Sequence, residues 1–266
     1  DKSDTAAFDN SSLTVNGVIS GDTVIVTGSG TYDSVNAGDR SVTVTSVTLD
    51  NGNYSLAASA VTGSEAGKLA GHINQKALSA TQAATVTKTY DKSDTAAFDN
   101  SDLTVSGVIT GDTVNVTSGT GTYDSANAGT RTVTVTGVTL DNSNYSLAAA
   151  AVTGSEAGKL TGKINQKDLT ITAVTNTKTY DGTNTAAAKP TYNSTDVQTG
   201  DTLTVSETYD DKNAGTNKTL TANYVINDGN GGKNYNVTTQ TATGTIDKAA
   251  LTVAAKPEPA GKPHIG

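Results

Sequence analysis

The chain contains no cysteine, no methionine and no tryptophan, and only two phenylalanines, Phe8 and Phe98. Without cysteine there is no disulfide, no thiolate nucleophile and no cysteine-ligated metal. Aromatic residues make up 5% of the chain, so a core built on large rings is excluded. The two histidines, His72 and His264, leave almost no material for general acid–base or Ser-His chemistry. Basic residues are outnumbered, 18 against 26, and the net charge is −8. Nucleic acid and anionic membrane surfaces both need a basic face, so neither is expected as a partner. No apolar run approaches the roughly 18–20 residues of a membrane-spanning helix, and membrane insertion is not expected. With no Met and no signal peptide, the chain reads as a piece of a longer protein.

What the chain does have is repetition. The segment from Asp1 to Asn10 recurs word for word from Asp91 to Asn100, and a looser version starts at Asp181. Landmarks follow in the same order in all three copies. Asn36-Ala37-Gly38 matches Asn127-Ala128-Gly129 and Asn213-Ala214-Gly215. Asn53-Tyr54 matches Asn144-Tyr145 and Asn234-Tyr235, and Gly71-His72-Ile73 matches Gly162-Lys163-Ile164 and Gly244-Thr245-Ile246. A spacing near 90 residues exceeds the period of a solenoid unit and fits a small autonomous domain. The expected modules are residues 1–76, 77–167 and a diverged 168–249. Residues 250–266 add a strand start, Ala250-Leu251-Thr252-Val253, and a Pro-rich linker. Module 1 is expected to lack its first strand.

Within each copy the pattern has period two, as half-buried strands require. Leu13-Thr14-Val15, Val24-Ile25-Val26 and Val42-Thr43-Val44 alternate apolar and polar. Ile25 becomes Asn115 and Ile19 becomes Thr110 in the second copy, which places both isoleucines on the wet face. The expected core of copy one is Leu13, Val15, Val24, Val26, Val42, Val44, Val47, Leu49, Tyr54, Leu56 and Ile73. The apolar phase slips at Ser46, where copy two has Gly137, and this predicts a β-bulge. The Ala-rich stretch from Leu147 to Val152 fits one helical turn, but the flanking Thr and Gly favour a strand. Tyr54, Tyr90, Tyr145, Tyr180 and Tyr235 are the candidate structural anchors.

The words Thr177-Lys178-Thr179-Tyr180-Asp181-Gly182-Thr183, with the Asn-Ala-Gly, Asn-Tyr and Gly-x-Ile landmarks, resemble the YDG repeat domain. In copy two Lys92 stands where the motif has Gly, which argues against a strict positive-φ requirement there. The resemblance is to repeats of large bacterial surface adhesins of the filamentous haemagglutinin type, exported by two-partner secretion. It implies a secreted or cell-surface protein in which the repeats form a stalk contributing to adhesion or biofilm. It also implies a host-cell or matrix glycan or protein receptor for the full-length protein. The absence of cysteine agrees with export of an unfolded chain.

Few residues offer chemistry. Asp210-Asp211 is the most acidic doublet, but neighbours on a strand point to opposite faces. His72 is Lys163 and Thr245 in the other copies, a tolerant surface position. Calcium would need six to eight oxygens. Asp50, Asp141 and Asp228 lie in such oxygen-rich clusters, Asp50-Asn51-Gly52-Asn53, Asp141-Asn142-Ser143-Asn144 and Asn227-Asp228-Gly229-Asn230, which also suit an Asx-type hairpin turn. Lys88 and Lys178 are the candidates for an intramolecular crosslink. No catalytic site and no obligate cofactor is expected.

The fold expected is all-β, with three tandem β-sandwich or β-grasp-like modules arranged as an elongated rod. The function expected is a stalk segment; the alternative is a glycan- or receptor-binding module in which the third repeat or one sheet face is the binding surface. A missing first strand in module 1 further predicts strand exchange with a neighbouring chain. For the rod, the radius of gyration should be near 30 Å, against roughly 18 Å for one compact domain of this length. Small-angle scattering of the monomer measures it, and a value near the compact figure removes the rod.

Overall fold

The computed structural model describes residues 2–256; the expected Pro-rich linker and His264 lie outside them. Among the described residues the protein is all-β, with three short 3-10 turns at Ala58–Ala60, Ala149–Ala151 and Ser194–Asp196. Threonine and valine dominate the strands, and their branched Cβ atoms pack on a pleated surface. The chain gathers into two compact units. The first holds Asp1–Thr87, Asp94–Asp124 and Arg131–Lys163; the second holds Lys88–Ser93, Ser125–Thr130 and the chain from Ile164 onward.

In the first unit, β1 (Thr5–Asp9), β2 (Val26–Tyr32), β3 (Gly38–Leu49) and β4 (Lys68–Ile73) form an antiparallel sheet in sequence order. The second repeat opens with β5 (Lys76–Ala77), β6 (Ser79–Gln82) and β7 (Val86–Thr89). It continues with β8 (Thr95–Phe98), β9 (Leu103–Ser106), β10 (Val116–Tyr123) and β11 (Gly129–Leu140). It closes with β12 (Tyr145–Ser146), β13 (Val152–Thr153) and β14 (Lys159–Asn165). Its larger sheet has the order β7-β14-β11-β10-β8. The opening segment also builds a smaller layer. There β5 pairs in parallel with β12, and β6 lies between parallel β13 and antiparallel β9.

The second unit contains β15 (Lys167–Thr172), β16 (Thr177–Thr179), β17 (Thr191–Tyr192), β18 (Thr202–Tyr209), β19 (Gly215–Asn227), β20 (Tyr235–Gln240) and β21 (Ala242–Asp247). Here the same plan is explicit. Strand β15 is the centre of β17-β15-β20, paired in parallel with β20 from Lys167↔Tyr235 to Thr172↔Gln240. Its continuation β16 is the edge of β16-β21-β19-β18 and runs parallel to β21. The opening segment of a repeat thus enters both layers. It buries Leu78, Ala80 and Val86 in repeat two, and Leu169 and Ile171 in repeat three. A fully buried Leu or Ile stabilises by roughly 1.5–3 kcal/mol.

Residues 1–76 contain no counterpart of that segment, and the consequence is visible in identical residues. Leu103, Tyr145, Leu147 and Ile164 are buried, whereas Leu13, Tyr54, Leu56 and Ile73 at the same repeat positions are half-buried. Leu103–Ser106 is a strand, but Leu13–Asn16 is not. Of the expected core, Val24, Val26, Val42 and Val44 are buried. Val15, Val47 and Leu49 are corrected to half-buried, as are Val105, Val138 and Leu140 in the second repeat. Ile19 and Ile25 face solvent, 69% and 49% exposed.

The bulge lies where the phase slips. Ser29 pairs with Ser46 but Gly30 with Val44, leaving Thr45 unpaired, and Thr136 is left out in the same way between Gly137 and Val135. A second irregularity in β10, between Val116 and Ser118, absorbs the extra residue by which copy two is longer there. The Ala-rich stretch, expected as a strand, is one 3-10 turn followed by the two-residue β13. Close approach explains the glycine opposite each phenylalanine: a Cβ at Gly119 would lie 2.0 Å from the Phe98 ring.

Main-chain amides of Leu103–Ser106 should therefore resist hydrogen exchange while those of Leu13–Val15 exchange quickly, because local opening free energy follows buried contacts and paired backbone. Equal protection in a proven monomer would contradict this account.

Candidate functional site

The residues proposed from sequence for ligand chemistry are all occupied locally. Asp50 accepts the Ile25 N–H at 2.7 Å. Asp141 accepts the Asn115 N–H and Nδ2–H, both at 2.8 Å, and these bonds hold its carboxyl below the usual range. Asp228 is buried. Burial alone would raise its carboxyl, but N–H groups of Gly232, Asn230 and Asn234 outweigh this and lower it. Asp50 and Asp141 tie the open end of a strand pair, and Asp228 ties the turn between β19 and β20. Among the described residues no group of three or more His, Cys, Asp or Glu side chains is placed to hold a metal ion.

Asp210 and Asp211 do not face opposite sides of a strand, which corrects the expectation. They lie in the turn after β18, and both reach the buried Lys218, at 3.2 and 2.6 Å. Asp210 is lowered first by the Thr219 N–H, and Asp211 first by the Lys218 ammonium. Neither is set up as a general acid, which needs a raised carboxyl. His72 pairs with Asp39 at 2.6 Å on an exposed face. Lys88 reaches Asp91 and Lys178 reaches Asp181, each at 2.8 Å. Asp181 also accepts the Thr183 N–H and hydroxyl; the Lys178 hydrogen bond first, then these, holds its carboxyl down at about 2.

The recurrent landmarks come together somewhere the sequence did not indicate: at the joint between successive repeats. In the first unit, Asn144 is the hinge pin. Its carbonyl accepts the Lys76 N–H at 2.9 Å, its Oδ1 accepts the Ala37 N–H at 2.8 Å, and its Nδ2 donates to Asn36 Oδ1 at 3.0 Å. In the second unit Asn234 does the same with Lys167, Ala128 and Asn127 at 2.9, 2.8 and 3.1 Å. The Asn-Ala-Gly loop of one repeat is thus read by the Asn-Tyr of the next. A buried side-chain amide is stable only with such partners. Asn234 is fully buried.

Each repeat carries a Tyr–Asp pair, and in the second and third repeats it stands beside the pin. The hydroxyls of Tyr54, Tyr145 and Tyr235 donate to Asp22, Asp112 and Asp201 at 2.7, 2.6 and 2.6 Å. They accept N–H groups of Ile19, Ile109 and Gln198. A lysine from the preceding repeat then caps the aspartate. Lys2 reaches Asp112 at 2.6 Å in the first unit, and Lys92 reaches Asp201 at 2.8 Å in the second. Both lysines sit at positive φ, 60° and 65°, matching Gly182 at 79°. The left-handed requirement therefore holds, correcting the expectation drawn from Lys92. A non-glycine residue there costs about 1–2 kcal/mol.

Tyr90 completes the second joint. Its ring meets Tyr235 edge-on at 5.6 Å, its hydroxyl donates to Asp201 at 3.1 Å, and its carbonyl accepts from Gln198 Nε2 at 3.0 Å. Burial, then the Asp201 carboxylate, pushes Tyr235 up to about 12 and Tyr90 up as well. Asp112 is held low, first by Lys2 and then by Tyr145. Of the five expected anchors, Tyr90, Tyr145 and Tyr235 are buried, Tyr54 is half-buried, and Tyr180 is 40% exposed. The Tyr180 expectation is corrected: the residue is a joint tyrosine, and no repeat follows it among the described residues.

The YDG domain family matches residues 1–62, 74–154 and 165–243, and the chain belongs to that family. No curated protein and no solved structure matches the chain.

Tyr90→Ala should cost about 3–5 kcal/mol, the range for aromatic deletions in cores. Tyr180→Ala should cost about 0.5 kcal/mol or less, as surface substitutions do. Chemical denaturation measures both. Tyr235 has a raised folded value, so its contribution is complete below the unfolded value of about 10 and is lost as pH climbs through about 12. Tyr235→Phe should remove that alkaline loss along with the corresponding step in the 295 nm titration.

Proposed function

We propose that this chain, three YDG domains in tandem, is a stalk segment of a secreted bacterial surface adhesin, holding a distal binding region away from the cell. The observation that carries the reading is the repeated joint. One residue, Gln166, separates β14 from β15, so the last strand of one repeat runs into the opening strand of the next. The Asn pin and the Lys–Asp cap then fix that passage. Such residues have no catalytic use; their use is concatenation.

Force along the chain meets a favourable geometry. In the third repeat the chain enters at β15–β16 and leaves through β21, which is parallel to β16. Opposite pulls on those ends shear the ladder, so its hydrogen bonds, together with those of β15 to β20, resist as a set rather than one at a time. Chemistry supports the reading from the other side, because the acidic groups with resolved shifts are held as carboxylates by local donors.

A second reading, a glycan-binding third repeat, is favoured by Tyr192 and Tyr224. They are 38% and 43% exposed, and exposed rings suit sugar faces.

Single-molecule stretching should give discrete rupture events, each releasing roughly 280 Å of chain per complete repeat. A featureless force–extension curve removes the stalk reading. Antibody raised to the chain should label intact cells of the source bacterium. Binding on a glycan array that Tyr192→Ala and Tyr224→Ala abolish would favour the second reading.

A further inference from the structure

In the first two repeats a strand covers the outer edge of the sheet. There β1 pairs Phe8 with Gly28, and β8 pairs Phe98 with Gly119. Just beyond, the Oδ1 atoms of Asn10 and Asn100 accept the N–H groups of Val26 and Val116, at 2.6 and 3.3 Å. Both devices belong to one word, Ala-Ala-Phe-Asp-Asn, at residues 6–10 and 96–100. At residues 186–190 the third repeat has Ala-Ala-Ala-Lys-Pro instead. Ala188 has no ring to seat, and Pro190 has no side-chain acceptor. The chain bridges to β18 at Thr185↔Thr208, then bends at Ala187 and Ala188 and leaves the edge.

The edge of β18 is therefore open from Thr202 to Ser206. Tyr209 donates its N–H to Asn184, and Glu207 accepts from the Ala186 N–H. Alternate residues of an antiparallel strand turn their main-chain groups to the same side, so Leu203 and Val205 also turn theirs away from β19. Among the described residues nothing bonds them there. The usual protections of an edge are a lysine, a proline or a bulge, and Thr202-Leu203-Thr204-Val205-Ser206 has none of them. Apolar side chains flank it on both faces. Leu203 and Val205 are half-buried on one face, where Tyr224, opposite Val205, is 43% exposed. On the other face Val225, opposite Thr204, is 68% exposed where the other repeats carry Thr48 and Thr139.

We propose that this edge pairs with the same edge of a second copy, antiparallel about a two-fold axis at Thr204. The run is its own complement. A half-turn about Thr204 sets Leu203 opposite Val205 of the second copy and Val205 opposite its Leu203, so every free N–H meets a free C=O. On one face this register makes an apolar row, Tyr224 and Val205 of one copy with Leu203 and Ile226 of the other. On the opposite face Thr204 meets Thr204, between two exposed Val225 side chains. Cross-strand pairs of these kinds are what stabilise a sheet. The run is uncharged, so no like charges meet, and it stops where Ala186 occupies Glu207. Such a contact uses the same patch on both copies and closes at the dimer. It goes beyond the stalk reading and does not depend on it.

Sedimentation equilibrium of the whole chain tests this. The wild type should rise with concentration from the 26.8 kDa monomer toward twice that mass. Thr204→Lys and Thr204→Glu, at an exposed position, should each stay folded and monomeric, because each sets like charges face to face across the axis. Mixed in equal amounts, the two variants should pair with each other. In the wild type the Leu203 and Val205 amides should exchange about 10-fold more slowly when the free chain stands at about 10 times the Kd of the pair than in dilute solution. A wild type that is monomeric at every concentration, an association that either variant leaves intact, or a mixture that stays monomeric each overturns the proposal. Leu203 and Val205 amides whose exchange ignores concentration overturn it too.

Discussion

Everything in a complete repeat depends on one strand lying between two others. The opening segment supplies the middle of the small layer and an edge of the large one, so its main chain satisfies donors and acceptors on both sides. Its alternate side chains, Leu78 and Ala80 or Leu169 and Ile171, are the apolar content that holds the layers together. In a chain with 34% hydrophobic residues there is little else to take their place. The first repeat makes the same point by subtraction. Its sequence is nearly that of the second, yet Leu13, Leu56 and Ile73 lose burial, and the Leu-Thr-Val segment loses its strand.

That segment follows directly on the previous repeat, with the single residue Gln166 between β14 and β15. The joint solves a specific physical problem. A short passage between two sheets leaves backbone N–H groups of the Asn-Ala-Gly turn facing the neighbour, and the Asn pin satisfies them with a side-chain amide that is itself paired at both ends. The Tyr–Asp pair has both its partners within one repeat. Only the lysine, and in the second joint Tyr90, comes from the preceding repeat. In both joints the aspartate accepts from the tyrosine hydroxyl and from the lysine ammonium together.

The third repeat diverges without losing this plan. It keeps Asn213-Ala214-Gly215, Asn234-Tyr235 and Asp201 while changing most of its wet face. It also buries Glu207 where the second repeat has Gly121. One carboxylate oxygen accepts the Val174 N–H, and among the described residues the other has no partner. A carboxyl buried in this way costs stability, and nothing in the structure explains the exchange.

Alternation of Val and Thr, swaps between copies and the slip at Ser46 were enough to read the strands, their wet faces and the bulge, because each is a local property with period two. The tandem order and the family were legible for the same reason. The joint was not. Asn-Ala-Gly and Asn-Tyr read as turns and are turns, but their partners lie more than 100 residues away, and periodicity carries no information at that distance. The one signal available was that the third copy keeps these words while losing its neighbours. Lys92 misled because a lysine can be held at positive φ when its ammonium reaches a buried aspartate, a fact only the tertiary contact supplies. Tyr180 misled because burial belongs to a position between repeats and not to a residue type. Sequence by itself determined the strands, the repeats and the poverty of catalytic groups. Which residues are buried was decided only in three dimensions, because it depends on whether a neighbouring strand is there to cover them.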